Sequence, residues 1–109
     1  MLSLMISDAC IILTSVASSA DAKHIAKQLV ELHLAACVQI SAEGNSVYRW
    51  QGKVENEIEV YLSIKTTADK MSTTIDWLEM NHPYEIPEIL CLQAEAGSAY
   101  LQWMRASVE

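Results

Sequence analysis

The segment with the most candidate chemistry spans residues 81–88, which read Asn-His-Pro-Tyr-Glu-Ile-Pro-Glu and include both prolines of the chain. Proline fixes the backbone angle φ and lacks an N–H donor, so this loop is expected to hold side chains in defined positions. Within the loop, His82 could bind a metal or transfer a proton, because an imidazole changes its charge near neutral pH. It could instead bond the last carbonyls of a preceding helix. The loop sequence leaves both roles open.

The three cysteines are the other candidate ligands. Cys37 opens a predicted strand after small residues, where it could be a buried inert thiol, a metal ligand or a redox group. Cys10 and Cys91 lie inside predicted strands, which favours a packing role for both. An odd number of cysteines without C-x-x-C spacing predicts neither a disulfide framework nor a zinc knuckle. This cysteine usage is typical of a reducing compartment, and we expect the protein to be cytoplasmic.

The sequence holds no motif of the common catalytic classes. It lacks G-x-S-x-G, H-E-x-x-H and a glycine-rich phosphate loop, and it has only 3 glycines. Glu85 and Glu88 lie near His82, but such spacings of common residues occur often by chance. We therefore expect a protein that is not an enzyme and that needs no cofactor to fold.

The charge of the chain excludes some partners. The formal net charge is −7 and there is no Lys/Arg cluster, whereas binding to a nucleic-acid backbone depends on clustered cations. No apolar run approaches the ~20 residues that span a bilayer. We therefore expect neither a nucleic-acid nor a membrane partner.

Hydrophobic patterning predicts the elements that position these residues. Residues 9–14 are apolar on both faces, as in a central strand. They follow residues 1–7, which are expected to form a flexible tail or to lead into the strand. Ser18 or Ser19 then caps a first helix, whose apolar residues recur at helical spacing.

A long antiparallel hairpin is predicted next. Its first strand runs over residues 36–50, with Gly44 and Asn45 interpreted as a bulge or bend inside it, and a turn follows at residues 51–53. The second strand alternates a polar row, which includes Glu59 and Tyr61, with an apolar row. The apolar row consists of Ile58, Val60, Leu62 and Ile64.

The remaining elements complete the fold prediction. Thr66 or Thr67 should cap a second helix, whose apolar stripe Met80 widens and which ends before Pro83. A fourth strand over residues 88–94 and a C-terminal helix follow. The order predicts one domain of the α/β (α+β) class over residues 1–109, a ferredoxin-like βαββαβ sandwich with an antiparallel sheet.

Such a sandwich leaves one sheet face without helices, which predicts self-association. Glu59 and Tyr61 lie on that face, and Tyr48 and Trp50 on the partner strand are large to be left in water. The long hairpin also presents unpaired strand edges. Another subunit is the simplest cover, and a solvated face with scattered aromatic residues is the alternative.

Four motifs in order carry a family resemblance: Leu-Ala-Ala-Cys-Val at 34–38, Tyr-Arg-Trp-Gln-Gly-Lys at 48–53, Ile-Lys-Thr-Thr at 64–67 and His-Pro-Tyr-Glu-Ile-Pro-Glu at 82–88. With them the chain resembles the CutA-type divalent-cation tolerance proteins. The resemblance implies a PII-like subunit in a tight homotrimer, in which long hairpins extend the sheets of neighbouring subunits. It also implies tolerance to divalent metals, particularly copper, and no firmly assigned enzymatic activity.

The resemblance implies a copper site only in part. Bacterial relatives have a cysteine at the end of the first strand and two histidines before Pro-Tyr, and the matching positions here are Thr14, Asn81 and His82. Only His82 keeps a copper-binding side chain, and Cys37 or another subunit could complete a site. Two functions therefore remain open: a tolerance protein that binds copper or another divalent cation through His82, and a metal-independent trimeric scaffold or PII-like small-molecule sensor.

Overall fold

The computed structural model describes residues 5–109, with side chains from Asp8 onward. Five strands and three helices follow one another, with a 3₁₀ turn over Ala68–Lys70. In chain order they are β1 (Met5–Val16), α1 (Ser19–Glu31), β2 (Cys37–Ile40), β3 (Gly44–Trp50), β4 (Lys53–Thr67), α2 (Met71–Asn81), β5 (Leu90–Gly97) and α3 (Ser98–Val108).

The sheet is antiparallel and has the order β2-β4-β1-β5, with β3 also paired to β4. Alternate side chains of β1 and β4 point to a core under α1 and α2, where Ile12, Leu29, Leu62 and Leu78 are almost fully buried. The predicted ferredoxin-like α+β fold is confirmed. No helix in the described part of the chain is long and apolar enough to cross a membrane.

The C-terminal helix α3 covers part of the opposite sheet face. Ala9 alternates with the core residue Cys10, so its side chain points to that second face. There it packs with Ala96, Leu101 and Met104. The face that the sequence left open is therefore partly covered by the chain itself.

The first hairpin strand is interrupted as predicted, but at residues 41–43 rather than at Gly44 and Asn45, and the interruption divides it into β2 and β3. Ile40 lies opposite Leu62 and Gly44 lies opposite Glu59, so three residues on one strand face two on the other. The hairpin closes through a two-residue turn with positive φ at Gln51 and Gly52, the conformation that matches the twist of paired strands.

The hairpin extends beyond the rest of the sheet. β1 reaches only to Val16, which lies opposite Val60, so residues 53–59 of β4 have no partner on that side within the described residues. We call residues 44–59 the projecting hairpin. Because neither α1 nor α2 reaches it, Ile58 is 56% exposed, and the prediction that Ile58 continues the buried row is wrong.

At the base of this hairpin Gly44 lies against Tyr61. A Cβ atom on Gly44 would sit 2.7 Å from Cε2 of Tyr61. The ring is fixed, because its hydroxyl donates to Asn45 O at 2.7 Å and its backbone N–H donates to Ser41 Oγ at 2.8 Å. A side chain at position 44 therefore has no free space.

We expect Gly44→Ala to lower the free energy of unfolding by about 1–3 kcal/mol, the usual cost of overpacking. Chemical denaturation at a fixed chain concentration measures this loss. Gly97→Ala is the matched control, since no atom of the described part of the chain lies within 4 Å of a Cβ added at Gly97. Equal stability of the two variants would contradict the assigned packing of Tyr61.

Several predicted boundaries differ from the structure. Ser18 caps α1 as expected, with its Oγ accepting from the Asp21 N–H at 3.1 Å. The predicted caps of the second helix are wrong, because neither Thr66 nor Thr67 has a hydrogen-bond partner for its hydroxyl. A 3₁₀ turn after Thr67 separates both from α2.

Two further predictions from the pattern are wrong. Met80 does not widen the buried stripe, because it is 85% exposed. The last strand begins at Leu90, where its pairing with β1 begins opposite Leu13, rather than at 88. In the predicted tail, Met5 already belongs to β1, and residues 1–4 lie outside the described residues.

Candidate functional site

His82 connects the end of α2 to the end of β1. Its Nε2 lies 2.9 Å from Ser15 O and 3.1 Å from Thr14 Oγ1, and its Nδ1 accepts from the Tyr84 N–H at 3.1 Å. A carbonyl oxygen only accepts, so Nε2 carries the hydrogen and Nδ1 is bare. Both ring nitrogens are thus used within the chain. The backbone N–H of His82 donates to Leu78 O at 2.8 Å, so the residue does bond the end of α2, while its ring contacts β1.

The environment keeps His82 neutral. Burial lowers the pKa of the imidazole, against the opposing effects of the Ser15 carbonyl and the charges of Glu59 and Asp21. The effect of desolvation is larger than these opposing effects, because removal from water disfavours the charged form of the ring.

We expect acidification to destabilise the fold through this ring. The unfolded chain takes up the proton near the ordinary histidine value of about 6.5, before the folded chain does. The contribution of His82 is therefore complete above that pH and is lost as the pH falls through the lower folded pKa, with a slope of at most about 1.4 kcal/mol per pH unit. Denaturation between about pH 5 and 8 should show the slope in the wild type but not in His82→Gln. The same pH dependence in both would contradict this role.

Tyr84 joins the loop after α2 to the base of the projecting hairpin. Its hydroxyl donates to Glu59 Oε2 at 2.7 Å, and Glu59 is only 7% exposed. Burial alone would raise the pKa of Glu59, but hydrogen bonds from Ser46, Tyr84 and Ser15 and the nearby His82 outweigh it and lower the pKa. Burial and the Glu59 carboxylate raise the pKa of Tyr84. The pair is therefore a carboxylate and a neutral phenol at pH 7.

A groove of about 990 Å³ lies between this loop and the projecting hairpin. Its wall combines aromatic and acidic side chains with one cation, Arg49. The aromatic residues are Tyr48, Trp50 and Tyr84, and the acidic residues are Glu57, Glu59, Glu85 and Glu88. The arrangement can hold a small molecule with an apolar body and polar groups, as binding clefts usually do.

The structure separates the two predicted metal ligands. Cys37 lies opposite Lys65, and Lys65 lies opposite Ile11. Cys37 is therefore two interstrand steps from β1, at the level of Ile11. Ile11 lies three residues, or roughly 10 Å, along β1 from Thr14, the residue that contacts His82. Within one chain Cys37 and His82 cannot share a site. The described residues contain no group of three or more His, Cys, Asp or Glu side chains placed to hold a metal.

The three positions that the resemblance matches to a copper site, Thr14, Asn81 and His82, meet only in part. Thr14 does contact His82, but Asn81 is exposed and its amide donates to Trp77 O at 2.8 Å. A hydroxyl replaces a thiolate, and both nitrogens of His82 already have partners. Among Thr14, Asn81 and His82 only the imidazole is a good copper ligand, and a copper ion would have to displace the partner of one ring nitrogen in order to bind.

A second feature lies on the sheet face that α1 and α2 leave uncovered. Ile11 and Leu13 of β1 lie opposite Leu92 and Leu90 of β5, and alternation points all four away from the core. We call these four residues the apolar face. Leu90 and Leu92 are more than half exposed, which is unusual for adjacent leucines on a sheet.

Tyr48, Trp50 and Glu59 were predicted to lie on the open sheet face, but the apolar face and the contact between Glu59 and Tyr84 were not predicted. A signal for the apolar face existed, since β1 is apolar on both sides although helices cover only one. No sequence signal pairs Glu59 with Tyr84, because the contact joins residues 25 positions apart.

Together, the sheet order, the projecting hairpin and the groove define a ferredoxin-like domain with an uncovered apolar face. The family model described as CutA1 divalent ion tolerance protein matches residues 10–107. The chain belongs to this family.

Among curated relatives, Protein CutA of Homo sapiens is 42% identical over 89 residues, which cover 81% of this chain and 50% of that protein. The divalent-cation tolerance protein CutA of Pectobacterium atrosepticum is 38% identical over 102 residues, 93% of each chain. The chain thus spans half the length of the human relative and 56% of that of the Xenopus laevis homolog.

The solved structures agree with the fold. CutA from Synechococcus elongatus superposes with a TM-score of 0.92 at 38% identity, covering 96% of this chain and 94% of that one. The CutA1 protein of Thermus thermophilus gives 0.86 at 40% identity, with 93% and 99% covered.

Proposed function

We propose that this chain acts in divalent-cation tolerance as a non-catalytic homotrimer that binds a small molecule in the groove beside the projecting hairpin. The observation that carries this proposal is the groove itself. One wall is fixed to the other by the hydrogen bond from Tyr84 to the buried carboxylate of Glu59. A preorganised cleft of this kind loses little entropy when it binds a ligand.

The apolar face supports the homotrimer. Four apolar side chains lie together there, and the unpaired edge of the projecting hairpin offers backbone donors and acceptors to a further strand. Both features are costly in water and favourable when copies of the chain cover them.

One relative supports a small-molecule ligand. A CutA structure from Synechococcus elongatus is described as complexed with a Bis-Tris molecule, and it matches this chain with a TM-score of 0.86 at 36% identity. Bis-Tris is an amine that carries several hydroxyl groups, which suits an acidic and aromatic wall.

A thermal-shift panel of small metabolites and amines, Bis-Tris included, tests the groove. A ligand at 100 times its Kd adds about 2.7 kcal/mol, which corresponds to a rise of several degrees in Tm. Trp50→Ala should lose this rise, whereas Trp103→Ala should keep it. The two tryptophans are comparably exposed, at 37% and 47%, but Trp103 lies on α3 outside the groove. If no compound in the panel raises the Tm of the wild type, or if the Tm of both variants shifts equally, the proposal of a binding site in the groove is wrong.

The competing proposal is a copper or other divalent-cation site centred on His82. It is favoured by the contact between Thr14 and His82, which brings together two of the positions that bacterial relatives use. Calorimetric titration of Cu²⁺ into the wild type and His82→Ala decides it. Binding lost in the variant would support the metal site, and equal binding, or none in either protein, would exclude it.

The remaining parts of the proposal concern setting and partners. We place the protein in the cytoplasm, where thiols such as Cys10, Cys37 and Cys91 stay reduced, although a relative from Archaeoglobus fulgidus is described as periplasmic. Other copies of the chain are its proposed macromolecular partners, without nucleic acid or membrane.

A further inference from the structure

The groove beside the projecting hairpin has an excess of negative charge. Its charged lining residues are four glutamates and one arginine, namely Glu57, Glu59, Glu85, Glu88 and Arg49. Arg49 alternates along β3 with Tyr48 and Trp50, so its side chain points to the other face of the hairpin. No salt bridge within the described residues includes any of the four carboxylates. The groove therefore favours a cationic ligand.

Aromatic and acidic side chains share one face of the projecting hairpin. Tyr48 lies opposite Glu55, and Ser46 lies opposite Glu57, and directly opposite residues point to the same side of a sheet. Glu55, Glu57 and Glu59 form a row along β4, in which successive positions are about 7 Å apart. Loss of solvation and the charges of these three glutamates raise the pKa of the Tyr48 hydroxyl. The acidic row thus acts directly on the aromatic wall.

The opposite wall of the groove is also acidic. Glu85 and Glu88 belong to the loop after α2 and are exposed. Between the two walls, Glu59 is buried and is held in place by the hydroxyl of Tyr84 at 2.7 Å. A cation in the groove therefore meets carboxylates from both walls, and one of these carboxylates has a fixed position.

The spacing suits a ligand whose positive charges are distributed along a chain. A single metal ion binds its oxygen ligands at no more than about 2.6 Å, which requires carboxylates that converge on one point. Ammonium groups joined by three or four methylene groups lie about 5–6 Å apart in an extended chain, close to the repeat of the acidic row. The rings of Tyr48 and Trp50 offer faces to the methylene groups and to the ammonium groups.

We propose that the ligand of the groove is a linear aliphatic polyamine. Its ammonium groups bind Glu57 on the hairpin and Glu85 on the loop, with the charge of Glu59 between them. Its alkyl chain lies on Tyr48 and Trp50. This inference rests on the proposed small-molecule function of the groove and names the chemical class of the ligand.

Calorimetric titration of the wild type with butylamine, butane-1,4-diamine and spermidine tests the class. These amines carry one, two and three ammonium groups, so the affinity should rise by up to about fivefold with each added group, the upper value for an exposed ion pair. The double variant Glu57→Gln/Glu85→Gln should bind spermidine about 10-fold more weakly, since it loses two such pairs.

Asp76→Asn/Glu79→Gln is the matched control for the double variant. It also removes two exposed carboxylates, but from α2 and outside the groove, so it should bind spermidine as the wild type does. Both double variants change only exposed side chains, and both should therefore fold.

Three results would overturn the polyamine: equal affinity for the three amines, equal weakening in the two double variants, or no binding of spermidine by the wild type. The groove site itself fails or stands separately. If Bis-Tris or another compound of the thermal-shift panel raises the Tm of the wild type but not of Trp50→Ala, the groove binds a small molecule and only its assigned class is wrong.

Discussion

Replacing Leu92 with glutamate should convert the proposed trimer into single chains of 12.1 kDa. Leu92 belongs to the apolar face, where it lies opposite Ile11. A carboxylate buried there between subunits would have no partner, and an unpaired buried charge costs several kcal/mol. Light scattering after size exclusion at micromolar concentration measures the mass.

Leu32→Glu is the matched control for this substitution. Leu32 and Leu92 are similarly exposed, at 49% and 53%, but Leu32 follows α1 and is not part of the apolar face. The control should keep the mass of the wild type. A trimeric Leu92→Glu, or equal dissociation of both variants, would contradict the role of the apolar face.

Leu62→Ala should lower the free energy of unfolding by about 2–5 kcal/mol, the range for leucine truncation in a core. Leu62 is 1% exposed and packs under the helices with Ile12 and Ile64. Its removal leaves a cavity that neighbours on rigid strands cannot fill. Urea denaturation must be compared at one chain concentration, because the stability of an oligomer depends on it.

For this prediction the control is Leu32→Ala, which should change the stability by less than about 0.5 kcal/mol. Equal losses in the two variants would mean that Leu62 does not lie in the core as described.

Local chemistry made much of the fold predictable. The cap at Ser18 follows from one side chain and the nearby N–H of Asp21. The turn at Gly52 follows from the glycine position, since glycine tolerates positive φ. The end of α2 follows from Pro83. In each case the deciding interaction spans only a few residues.

The wrong predictions have a different cause, because each depends on how far a neighbouring strand or helix extends. Ile58 has the same periodicity as Leu62, but the pattern does not tell where β1 and the helices stop. Likewise the stripe of α2 includes Met80 by spacing, although nothing packs against its end. Thr66 is a good capping residue, yet the 3₁₀ turn that follows places the helix start elsewhere.

The candidate site was predictable in its parts but not in its connections. The sequence drew attention to His82 and to Tyr48 and Trp50. It could not pair Tyr84 with Glu59, since that contact depends on how the hairpin base meets the loop. It also could not show that both ring nitrogens of His82 have hydrogen-bond partners. Through these bonds the ring holds the loop after α2 against β1.

The most direct test of the account is the mass of the wild-type protein in dilute solution. Sedimentation equilibrium at micromolar concentration should give three chains of 12.1 kDa each, because the proposed trimer covers the apolar face and the hairpin edge. A stable, folded species of one chain under those conditions would contradict the account.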